Sequence, residues 1–158
     1  MLDKIISGGQ SGADVAGLDA AIELGIPTGG TMPNKFKTEN GNKPEYEKLY
    51  NMIEDGHSNY IFRTEQNVIN SSGTLLLGNI NSAGTKLTIK YCSWFKKPYY
   101  IVPFPNIELK KLSLSVWIYH NKINILNVAG NRESTNPGIY NYTKYYLLKE
   151  LYEFNRTF

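Results

Sequence analysis

The stretch Ser7-Gly8-Gly9-Gln10-Ser11-Gly12-Ala13-Asp14 constrains the fold more than any other, because it joins the short apolar run Lys4-Ile5-Ile6 to a segment with helical patterning. A strand that breaks into glycines and then turns into a helix leaves backbone N–H groups free at the helix N-terminus, where the macrodipole also favours negative charge. Gly8, Gly9 and Gly12 have no Cβ to hold a phosphate off the backbone, and Ser7, Gln10 and Ser11 add hydrogen-bonding side chains. The stretch is therefore expected to bind an anion. It is neither a Walker A loop, which ends in Gly-Lys-Ser/Thr, nor the dinucleotide pattern G-x-G-x-x-G.

Strand and helix signals then alternate. Val15, Leu18 and Ile22 recur at helical spacing, and Gly25-Ile26-Pro27 stops that helix. Further strands are expected at 26–30, 74–77, 98–102 and 123–128, with helices at 60–69, after Gly84, around Leu109, Leu112, Val116 and Tyr119, and from Pro137 to Phe154. The pattern predicts one α/β domain over 1–158, a mainly parallel sheet of about five strands with helices on both faces. Ligands of such sheets bind outside the carboxyl ends of the strands, where the polar, glycine-bearing turns gather. Residues 31–59, rich in Asn, Lys, Gly and Pro, read as a lid.

The formal charge is +3, from 17 Lys+Arg against 14 Asp+Glu, without a run of one sign, so neither nucleic acid nor a membrane surface is the expected partner. A single cysteine, Cys92, excludes an internal disulfide, and His57 and His120 lie too far apart in sequence for a zinc-type cluster. No apolar stretch has the length of a membrane span, and Met1-Leu2-Asp3-Lys4 does not open a signal peptide; a cytoplasmic location is the expectation.

Several segments resemble the putative molybdenum carrier family. They are the opening stretch with Leu18-Asp19-Ala20-Ala21, Gly25-Ile26-Pro27 and Gly29-Gly30, then Arg63-Thr64, Asn67-Val68, Gly73-Thr74-Leu75, Gly84-Thr85 with Thr88, Asn127-Val128-Ala129-Gly130, Arg132-Glu133-Ser134 and Pro137-Gly138-Ile139-Tyr140. The resemblance runs in order over nearly the whole chain. It implies a Rossmann-like three-layer α/β/α fold, shared with the lonely-guy phosphoribohydrolases, homo-oligomers (dimers or tetramers), and a phosphorylated, nucleotide-like small molecule as ligand. Molybdenum cofactor is the implied ligand of the carriers, and a nucleotide-derived signal that of other members of the superfamily. Departures fall at Met32-Pro33, Phe36-Lys37, Ser72 and Asn131, mostly toward the ligand edge.

The candidate ligand residues are Ser7, Gly8, Gly9, Gln10, Ser11, Gly12, Asp14, Arg63, Gly84, Thr85, Thr88, Gly130, Arg132, Glu133 and Ser134. Arg63 and Arg132 are two of only three arginines, the side chain suited to bidentate contact with phosphate. Arg132 serves either a ligand or a structural pair with Glu133, and Arg63 either a ligand or the start of a helix. Asp14 reads as the acidic end of a capping box with Ser11, or as a contact to a ribose or Mg²⁺. Gly84, Thr85 and Thr88 repeat the anion logic at another helix start. By the same resemblance, the phosphoribohydrolases carry a glutamate where this chain has Thr88, so no catalytic residue is assigned and a binder is expected ahead of a nucleotide hydrolase. Glu39, Glu65 and Glu133 are the remaining acids considered, and Tyr46, Tyr60 and Tyr140 the rings that could stack on a ligand.

Overall fold

A computed structural model describes residues 2–105 and 113–157. The chain runs β1 (Lys4–Ser7), α1 (Ala13–Glu23), β2 (Thr28–Met32), a 3₁₀ turn, β3 (Lys37–Thr38), β4 (Gly41–Asn42), α2 (Tyr46–Leu49), β5 (Met52–Glu54), α3 (Tyr60–Ile69) and β6 (Gly73–Gly78). It continues with α4 (Ala83–Trp94), β7 (Tyr99–Pro103), α5 (Leu114–His120), β8 (Ile125–Gly130) and α6 (Ile139–Thr157). Six strands form one parallel sheet in the order β5-β2-β1-β8-β6-β7, and β3 and β4 form a separate small antiparallel pair.

The Rossmann-like α/β architecture expected from the alternation is present, with two differences. The main sheet has six strands rather than about five, because residues 31–59 are not a bare loop: they supply β5, which pairs with β2 along Gly30–Met52, Thr31–Ile53 and Met32–Glu54. Three residues are too few to establish a period of two, and Ile53 is 68% exposed on this edge strand, so no apolar run announces it. The second difference lies in α1. Leu18 and Val15 pack with Met32, Phe36, Tyr50 and Met52, whereas Ile22 is exposed; the face toward the main core is made of Ala13, Ala20 and Ala21. Small residues bring this helix close to the sheet, and a Cβ on Gly17 would stand 2.7 Å from Val128. Leu109 and Leu112 of the expected fifth helix lie outside the described residues.

The main core is built from Ile5, Leu75, Leu77, Leu126 and Val128 of the sheet against Leu114, Ile118, Leu147 and Leu151 of α5 and α6. Val68, Tyr91 and Cys92 form a smaller cluster between α3 and α4, where burial pushes the Cys92 thiol up. Ser7, the last residue of β1, pairs with Val128, and Leu77 pairs with Gly130, so β6 and β8 end within a residue of each other and β1 ends two residues before β8 on the same side of the sheet. Their following loops therefore meet at one edge.

Candidate functional site

At that edge lies a narrow recess of about 50 Å³, lined by Gly8, Asp14, Arg63, Thr64, Asn67, Leu76, Gly84, Thr85, Thr88, Asn127, Ala129 and Gly130. Of the residues expected from sequence it unites Gly8, Asp14, Arg63, Gly84, Thr85, Thr88 and Gly130. Ser7, Gly9, Gln10, Ser11, Gly12, Arg132, Glu133 and Ser134 do not line it.

The glycine loop does something other than expected. Its amides are engaged by the protein itself: Gly9 N–H donates to Ser7 Oγ (3.1 Å), Gln10 N–H to Asp14 Oδ2 (3.3 Å), Ser11 N–H to Gln10 Oε1 (3.0 Å) and Ala13 N–H to the Asn131 carbonyl (3.1 Å). The space left by the missing Cβ atoms is also filled by protein. A Cβ on Gly8 would stand 1.6 Å from Arg63 Nη1, and one on Gly12 2.4 Å from the Asn131 carbonyl oxygen. The space beside Gly8, Gly9 and Gly12 is taken by Arg63, Met32 and the β8–α6 loop respectively. Ser11 does not cap α1 either, since the N-cap is Gly12 and makes no side-chain cap bond.

Arg63 reaches over Gly8 to Asp14, Nη1 to Oδ2 at 2.9 Å, with side chains only 14% and 4% exposed. Burial pushes the Asp14 carboxyl up, while the Arg63 guanidinium and the amides of Gln10 and Gly130 pull it down; burial prevails. Arg63 Nε remains buried without a partner among the described residues, and so does Asn127 Oδ1. Asn127 spans the interior of β8, where its Nδ2 donates to Thr74 Oγ1 (3.2 Å). Two residues that line one recess, Arg63 and Asn127, thus each carry a buried, unpartnered polar atom, a donor in one and an acceptor in the other.

The start of α4 closes the recess. Ser82 is its N-cap and accepts from the Thr85 amide, and Thr88 Oγ1 donates to the Gly84 carbonyl (2.9 Å). None of the described residues accepts from the amides of Ala83 and Gly84, and a Cβ on Gly84 would meet nothing within 4 Å. The Ala83 and Gly84 amides at the N-terminus of α4 are therefore open.

The remaining candidates have structural partners. The Glu133 carboxylate accepts from Gly138 N–H (2.6 Å) and Tyr140 N–H (2.9 Å), which caps α6. Glu39 accepts from the hydroxyls of Ser11 and Ser134, and Glu65 sits on α3 near Tyr91. The Arg132 guanidinium lies 5.0 Å from the centre of the Tyr60 ring and that of Arg63 5.5 Å from the same ring. Tyr140 donates to Asp19 Oδ2 (2.6 Å), and burial with that bond pushes its phenol up to about 12. Tyr46 packs edge-on against Tyr50 at 4.9 Å. Among the described residues no three His, Cys, Asp or Glu side chains could hold a metal ion, and no helix is long and apolar enough to cross a membrane.

Residues 5–151 match the circularly permutated YpsA SLOG family. The chain belongs to that family. Among solved structures, this SLOG-family chain is similar to a putative molybdenum carrier protein from Syntrophus aciditrophicus SB, with 38% identity, a TM-score of 0.80, and coverage of 94% of this chain and 93% of that one. No curated protein matches it. Sequence reasoning did not select Thr64, Asn67 and Asn127 as site residues of this SLOG protein. Asn127 had a usable signal: one amide inside the apolar run Ile125-Leu126-Asn127-Val128. Asn67 lines the recess, yet its amide group is taken up by Thr31, at 2.8 Å to the N–H and 3.0 Å to the carbonyl.

Proposed function

We propose that the protein holds a phosphorylated, nucleotide-like small molecule in the recess between β1, β8, β6 and the start of α4, and releases it unchanged. The observation that carries this reading is a recess lined by Arg63 and Asn127, each with a buried, unpartnered polar atom, and by Gly84 at the start of α4, where no described residue accepts from the Gly84 amide. Arg63 and the helix dipole favour a phosphate, and Asn127 Oδ1 accepts from a hydroxyl or amide of the same ligand. Enclosing a whole drug-sized ligand takes ~300 Å³ or more, so a recess of about 50 Å³ takes one end of the molecule. The rest of the molecule lies outside the recess.

Molybdenum cofactor, a pterin with a terminal phosphate, fits these requirements as cargo, and an ADP-ribose-like signal fits them as well; the solved relative's name favours the first. Holding is favoured over hydrolysis because the carboxylates near the site are already engaged, Asp14 by Arg63, Glu133 by the α6 amides and Glu39 by Ser11 and Ser134.

Gly84→Asp tests the site. The new side chain meets open space, and a carboxylate in the first turn of α4 supports the helix by about 0.3–1 kcal/mol. Its charge opposes a bound phosphate, so calorimetric titration with AMP and ADP-ribose is expected to show affinity weakened by about 100-fold or more at unchanged thermal stability. Equal binding by Gly84→Asp and wild type would remove the recess as the site.

A further inference from the structure

Glu39 ties the loops after β1 and β8 together. Its carboxylate accepts from Ser11 Oγ, from Ser134 Oγ and, at 3.4 Å, from Ser134 N–H, while its own amide donates to Gln10 Oε1 (2.9 Å). Ser11 Oγ also receives Glu133 N–H at 3.3 Å. These groups belong to the loops after β1 and β8, and Glu39 arrives from the turn between β3 and β4, a hairpin of two-residue strands. Arg132 lends positive potential to the cluster and forms no ion pair with any described carboxylate. Hydroxyls and an amide converging on one oxyanion near an arginine form a cradle for an anion generally, not for Glu39 alone.

Next to this cradle is a cavity of about 250 Å³ whose walls include Ser11, Thr38, Asn40, Lys43, Tyr46 and Tyr140. Thr38 and Asn40 flank Glu39, so the clasp stands at the cavity's edge. Two tyrosine rings and a lysine beside an anion cradle match a flat ring bearing a phosphate.

We infer that Ser11, Ser134 and Arg132 form a second anion site, separate from the α4 recess and independent of its function, which the Glu39 carboxylate fills until a phosphate-bearing ligand displaces it. Glu39 then acts as an internal competitor. The ligand's apparent affinity is lowered by the fraction of molecules in which the clasp is closed, and the hairpin is released when the ligand binds.

Titration with inorganic phosphate, followed by amide NMR at Ser11 and Ser134 and separately at Gly84 and Thr85, tests this site apart from the recess. Glu39→Ala is expected to bind phosphate about tenfold more tightly than wild type at Ser11 and Ser134, the scale of one charge-assisted hydrogen bond no longer displaced. The Gly84 and Thr85 curves should be unchanged. Glu39→Gln, which keeps the shape without the charge, shifts in the same direction and serves if the alanine variant does not fold. Adding Ser134→Ala to Glu39→Ala abolishes the gain. An unchanged or weaker phosphate response at Ser11 and Ser134 on loss of the Glu39 charge, or a gain that survives Ser134→Ala, overturns the inference.

Discussion

Replacing Gly30 with alanine will destabilise the protein severely. Gly30 sits in β2 at φ 131°, a backbone conformation that side chains with a Cβ rarely adopt. An added Cβ would stand 2.0 Å from the Ser7 carbonyl oxygen and 2.8 Å from its amide nitrogen. Both are main-chain atoms of β1, so no rotamer relieves the clash. Relief requires β2 to move away from β1 while it still pairs with β5 on its other side. The expected cost is about 4 kcal/mol or more, a large part of the ~5–15 kcal/mol that holds an ordinary domain together. Gly56→Ala is the control, since an added Cβ there meets nothing within 4 Å; its effect should stay within about 0.5 kcal/mol. Urea denaturation followed by circular dichroism reads both, and a Gly30→Ala midpoint close to wild type would contradict the packing of β1 on β2.

Arg63→Met is expected to destabilise the protein by about 3–5 kcal/mol at neutral pH, because it leaves the Asp14 carboxylate buried without its countercharge. The pH dependence carries the signature. Burial already pushes the folded-state value of Asp14 up, and the largest opposing influence is Arg63. Without Arg63 the folded protein retains a proton on Asp14 that the unfolded chain has lost. Stability of the variant therefore rises as pH falls toward the ordinary carboxylate range, and its deficit against wild type is greatest at neutral pH and above. Asp14→Asn added to Arg63→Met removes the buried charge and should recover part of the loss. An Arg63→Met protein with wild-type stability at neutral pH would mean that the pair is not a buried one.

The architecture was legible because glycine-bearing turns punctuate strong apolar runs such as Thr74–Leu77 and Ile123–Val128, and strands alternating with helices admit few topologies. β5 was not legible: a three-residue edge strand carries no period, and its pairing with β2 is a tertiary event. The site was half legible. Gly84, Thr85, Thr88 and Arg63 meet in the recess because a helix start after a strand is a local property that sequence records. The surroundings of the glycine loop were not legible. Sequence indicates that Gly8 and Gly12 leave room for something, but what fills that room, Arg63 from α3 and Asn131 from the loop after β8, comes from distant parts of the chain. Glu39 had no local signal at all, since its partners lie on two loops distant in sequence.

Native mass spectrometry of the purified protein, followed by denaturation and identification of what is released, tests the central claim most directly. The wild type is expected to release an intact phosphorylated molecule, a pterin phosphate or an adenine nucleotide derivative, that is absent from Gly84→Asp. Release of only a free base or a ribose phosphate, or retention of the same molecule by Gly84→Asp, would contradict it.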